Sequence, residues 1–193
     1  MITLKKILFP LFSLFLLYRS VALLNQLMAA NPEDYTRTET FIISFLLTLF
    51  ITGIFAITGF AYPTSSLLPA NYYKVKNPVK TNQLYNALGV KYFKVLLLIF
   101  FWGSKKNRTK YFDGTRNGMQ NFIYQTKQSE FGHLGAFVVI FIVSIVLILH
   151  DYYLLVTIAT VINLLANLYP IILQRHHRYR ILKIRGDYSK SIP

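Results

Sequence analysis

Four long stretches of this chain carry almost no charge, and they limit what it can fold into. They run from Ile7 to about Ala30, from Phe41 to Tyr62, from His133 to His150 and from Tyr152 to Leu173. An α-helix needs about 20 apolar residues to cross the roughly 30 Å of bilayer hydrocarbon. Within lipid only helices and closed barrels satisfy their own backbone polar groups. The pattern therefore predicts an all-α, polytopic integral membrane protein with four transmembrane helices. It is read as one membrane domain over residues 1–193, with a basic loop at 63–132 and a tail at 174–193.

Lys5, Lys6 and the Met28-Ala29-Ala30 end give the first stretch the look of a signal peptide. It is longer than a typical signal core and further spans follow, so it is expected to be the first span. Arg19 lies inside it and should face the bundle or reach the interface, because a lipid-facing charge is costly. Between the second and third spans, Pro63, Pro69 and Pro78 read as helix breakers. Tyr92 to Trp102 is too short to span. It suits an interfacial or re-entrant helix with Trp102 at the headgroups. Asp151 marks a tight turn between the last two spans, and Tyr152 and Tyr153 would form an aromatic belt there.

The charge fixes an orientation. The formal charge is +14, yet of the 21 Lys and Arg residues all but Arg19 and Arg37 lie at the N-terminus, in the 63–132 loop or in the tail. The two short turns hold Glu33, Asp34, Glu39 and Asp151 against Arg37. The positive-inside rule then predicts a cell (cytoplasmic) membrane protein with both termini in the cytoplasm. Such basic segments suit anionic lipid headgroups or a phosphorylated ligand. Nucleic acid is not expected, because membrane insertion selects basic juxtamembrane loops in any case. There is no cysteine, which excludes disulfides and thiolate chemistry.

An antiparallel hairpin of the last two spans would bring residues 130–135 and 167–178 to one depth. Glu130 and His133, three apart, share a helix face. A carboxylate beside imidazole suits general-base chemistry on a hydroxyl; the plainer reading is that Glu130 caps a helix start beside Ser129 and that His133 is interfacial. Asn163 and Asn167 share a face four residues apart, either as interhelical glue or as substrate contacts. Pro170 frees a backbone carbonyl in the same turn. Arg175, Arg178 and Arg180 are either a lipid-phosphate anchor or a clamp on donor phosphates. His176 and His177 diverge on a helix and no carboxylate joins them, so no metal is expected. Lys105, Lys106, Arg108 and Lys110 form a second basic cluster before Asp113-Gly114, which reads as a turn or as a further polar group.

At these residues the chain resembles the glycosyl-4,4'-diaponeurosporenoate acyltransferase family, which makes the final ester of staphyloxanthin-type carotenoids. The resemblance runs from about Leu68-Pro69-Ala70-Asn71-Tyr72-Tyr73 to Leu182-Lys183-x-Arg185-Gly186. Between these ends it rests on Trp102 with its basic followers, Asp113-Gly114, Thr126-Lys127 and Glu130-x-x-His133. It continues through Ala166-Asn167, Pro170-Ile171-Ile172, Gln174-Arg175, Arg178 and Arg180. Two features depart from the family: an extra N-terminal span, and His176-His177 where an aromatic residue and then Asn are usual.

The resemblance implies transfer of a fatty acyl group onto a hydroxyl of a lipid-linked glycoside, possibly a carotenoid glycoside. On the matching positions, physical reasoning would assign His133, Glu130 and Asp113 to catalysis, and Asn167, Asn163 and Trp102 to substrate. Arg175, Arg178 and Arg180 would take the donor phosphates. No tightly bound cofactor is expected; acyl-CoA or another acyl donor is the co-substrate. The expected partners are membrane lipids and a lipid-linked acceptor. The rival readings are a small membrane scaffold or transporter subunit, and a membrane lipid methyltransferase.

Overall fold

The computed structural model describes residues 2–100 and 115–184; the side chains of Ile2, Thr3, Arg116 and Asn117 are left aside. Every regular element among them is helical, and no strand occurs. The long helices are α1 (Ile2–Ala29), α2 (Arg37–Ala61) and α5 (Arg116–Ile148). The last stretch is α6 (Tyr153–Asn163), a π-turn (Leu164–Leu168) and α7 (Tyr169–Ile184). Among the described residues, two short α-helices, α3 (Pro78–Ala87) and α4 (Val90–Phe100), fall between α2 and α5. Four helical stretches among the described residues are long and apolar enough to cross a membrane: Leu4–Ala29, Arg37–Ala61, Gly118–Ile148 and Tyr153–Ile184.

These bounds depart from the expected ones in two places. Helix α5 begins at Arg116 rather than His133, because the polar segment 116–131 is itself helical and buries Thr126, Gln128 and Glu130. Helix α7 likewise continues to Ile184, through the basic segment taken as tail. Pro78 starts a helix instead of breaking one. It sits in the first turn of α3, where its missing N–H costs nothing, and the Asn77 side chain accepts from Lys80 N–H at 2.9 Å.

The chain falls into two compact units. The first comprises Met1–Thr64 and Gly132–Leu168. Its core is Leu27, Leu47, Ile51, Ala136, Ile140, Leu147, Tyr152, Leu155 and Val156. Small residues let these helices approach closely, as expected where packing replaces the hydrophobic effect. A Cβ on Gly135 would lie 2.4 Å from the Phe55 ring, and one on Gly53 would lie 2.6 Å from Leu16. Ser44 Oγ donates to the Leu155 carbonyl at 3.1 Å. Thr36 and Glu39 form a capping box that starts α2.

Asp151 takes a left-handed conformation (φ 64°) in the turn before α6, a conformation that Asp tolerates better than most residues. Tyr152 is buried and donates to the Leu27 and Ala30 carbonyls at 2.7 and 3.0 Å, which ties this turn to the end of α1. It is thus a core residue, and only Tyr153 is exposed as a belt residue would be. Arg19 is exposed on α1 and does not face the bundle.

The second unit comprises Ser65–Phe131 and Tyr169–Pro193. Helices α3 and α4 both pack on α7. Tyr85 stacks on His176 with ring centroids 3.7 Å apart, and Phe122 meets His177 at 5.3 Å. Tyr169 Oη donates to the Leu88 carbonyl at 3.0 Å. Both histidines of the pair therefore pack on aromatic rings, His176 stacked and His177 tilted.

Candidate functional site

The first unit holds a neutral polar network in apolar surroundings. Asn167 is fully buried in the π-turn, a helix irregularity often found at functional positions. Its amide nitrogen donates to Asn163 Oδ1 at 2.9 Å and to Thr52 Oγ1 at 3.1 Å. Asn163 in turn donates to the Phe137 carbonyl at 3.2 Å. Asn167 Oδ1 lies 3.0 Å from His133 Nδ1. With the amide nitrogen already spent on two acceptors, this oxygen must accept, so Nδ1 carries the proton. A neutral ring in that tautomer keeps its lone pair on Nε2.

The second unit holds a charged cluster. Glu130 is fully buried well inside α5, so it is not a helix cap. Arg175 Nε donates to its Oε1 at 2.8 Å, and Arg178 Nη2 bonds its Oε2. Arg178 Nε also donates to the Tyr73 carbonyl at 3.1 Å. Arg178 is only 5% exposed, whereas the Arg175 side chain is 42% exposed. The guanidiniums lie over two tyrosines: Arg175 over Tyr72 at 5.1 Å, and Arg178 over Tyr73 at 5.7 Å. Burial, then the negative charge of Glu130, pushes the Tyr73 phenol up to about 12. Arg180 is exposed; burial, and then the positive charge of Arg180, lowers the pKa of Lys94.

The predicted residues thus fall into two sets. The hairpin contact expected between residues 130–135 and 167–178 occurs in each unit: His133 with Asn167, and Glu130 with Arg175 and Arg178. The partner that orients the imidazole is an amide, and both Glu130 oxygens belong to guanidiniums. Asp113, Trp102 and the Lys105–Lys110 cluster lie outside the described residues.

Sequence reasoning did not assign roles to Thr52, Tyr72, Tyr73 or Lys127. The adjacent Tyr72-Tyr73, in a segment of Pro, Asn and Lys, was the available signal for two of them.

The family model of glycosyl-4,4'-diaponeurosporenoate acyltransferase matches residues 69–186. That segment covers well over half the chain and contains both polar clusters apart from Thr52. The chain belongs to the glycosyl-4,4'-diaponeurosporenoate acyltransferase family. The resemblance read from short motifs is thereby borne out, and with it membership of an acyltransferase family of carotenoid biosynthesis. No curated protein and no solved structure matches the chain.

Proposed function

We propose that the protein is an integral acyltransferase of the cytoplasmic membrane, with both termini in the cytoplasm. It moves a fatty acyl group from a carrier thioester such as acyl-CoA onto a hydroxyl of a lipid-linked glycoside. A carotenoid glycoside is the acceptor that the family's description favours. The observation that carries the reading is the His133–Asn167 contact, which lies within the family-matched segment. A histidine held by one nitrogen with its other lone pair available is suited to general-base work.

In this reading His133 Nε2 takes the proton of the acceptor hydroxyl. The oxygen then bonds the acyl carbonyl carbon, the carbon–sulfur bond breaks, and the proton passes to the departing thiolate. Asn167, supported by Thr52 and Asn163, positions the ring. Glu130 acts on Arg175 and Arg178, holding the cations that favour an anionic donor. Asp113 and Trp102 enter only through their places in the matched segment.

The test uses purified protein in nanodiscs with labelled acyl-CoA and a glycosylated carotenoid acid. An ester product identified by mass spectrometry supports the proposal. Absence of product with acyl-CoA and with acyl-carrier-protein thioesters contradicts it.

A further inference from the structure

The second unit contains a cavity of about 310 Å³ whose wall is part aliphatic and part cationic. Val75, Ile123, Ile181 and Leu182 supply the apolar side, and Tyr73, Lys74, Lys127 and Arg178 the polar side. Two residues that line the cavity, Arg178 and Tyr73, also carry buried polar atoms, Nη1 and Oη, that have no hydrogen-bond partner among the described residues. The two residues are only 5% and 4% exposed. A buried donor without an acceptor carries the full desolvation penalty of the group, and a charged donor the largest.

The local charge is also out of balance. Glu130 is one carboxylate shared by two guanidiniums, and the Lys127 ammonium stands 5.8 Å from the Tyr73 ring centroid. An anion placed against Arg178 would correct both deficits, with the neutral phenol of Tyr73 as a second donor and Lys127 as a compensating charge. The aliphatic wall sets a second requirement, an apolar portion joined to the anion.

We infer that this cavity is a binding site for a phosphate ester carrying an apolar portion, held by Arg178, Tyr73 and Lys127. Two sources share that chemistry, a membrane phospholipid headgroup and the phosphates of a free acyl donor. The inference rests on the acyl-transfer reading only for which of them arrives. Its test is a binding measurement that requires no turnover, so the two can fail separately.

Isothermal titration of the full chain in detergent micelles would use dihexanoyl phosphatidic acid, coenzyme A, and dihexanoylglycerol as the uncharged comparison. Arg178 is left in place because it also holds Glu130. Tyr73→Phe keeps the ring and removes only the hydroxyl, and Lys127→Gln removes a partly exposed charge, so both variants should fold. At least one phosphorylated probe should bind more tightly than dihexanoylglycerol, and each substitution should weaken it about tenfold, as expected for a lost hydrogen bond or charge at an anion. Selective binding of phosphatidic acid identifies the lipid source, and selective binding of coenzyme A the donor. The proposal is overturned if neither phosphorylated probe outbinds dihexanoylglycerol, or if both variants bind as the parent does.

Discussion

The His133 network and the Glu130 cluster use polar groups in opposite ways. The first is neutral and closed: each amide named has an acceptor, and the one ring it holds is fixed in a single tautomer. The second is charged and open: two guanidiniums share one carboxylate, and a buried guanidinium nitrogen and a phenol remain unpartnered among the described residues. A closed neutral network orients, whereas an open cationic one awaits an anion. In a chain this apolar, each buried polar group needs such a reason to be tolerated.

Three substitutions would break or sharpen that contrast. Glu130→Ala should have the largest effect on stability. It leaves Arg178 buried with no carboxylate, and losing one partner of a buried ion pair costs about 3–5 kcal/mol. Denaturation in detergent micelles measures it, and a loss below 1 kcal/mol would mean that the pair is not buried as described. Asn167→Leu comes next, at about 1–3 kcal/mol, because it leaves Asn163 Oδ1 and Thr52 without their amide donor. The same denaturation assay should also separate Arg175 from Arg178. The exposed Arg175 pair is expected to cost no more than about 1 kcal/mol on Arg175→Gln.

A separate effect concerns pH. The Tyr73 phenol has a folded pKa raised to about 12 from an ordinary 10.0, so its contribution to stability is complete below pH 10 and fades as pH rises toward 12. Tyr73→Phe should flatten that alkaline loss in a melting series. An unchanged series would remove the role given to burial.

Much of this was legible in the sequence where the signal was long and apolar. The spans at 41–62 and 152–173 needed only the length of uninterrupted hydrophobic runs. The polar helices α3 and the first half of α5 were missed because they lack such runs: residues 116–131 bury Thr126, Gln128 and Glu130 instead of aliphatic side chains. Pro78 was misread because proline stops a helix interior but starts a first turn.

The site was legible as a list of residues, since spacing puts Glu130, His133, Asn163 and Asn167 on helix faces. The partnerships were not, because a face has neighbours on more than one side and only the fold chooses among them. Spacing alone paired His133 with Glu130, while the structure gives the imidazole an amide and the carboxylate two arginines. Tyr72 and Tyr73 could not be placed, because they lie far in sequence from the arginines they support.

The most direct measurement is a side-by-side split of kcat and KM for acyl transfer in His133→Ala and Lys127→Gln. The account predicts that His133→Ala lowers kcat by about 10²-fold or more with little change in donor KM. Lys127→Gln should instead leave kcat nearly constant, with donor KM raised several-fold if the cavity takes the donor. Full kcat in His133→Ala would contradict the central claim that the neutral network carries the chemistry.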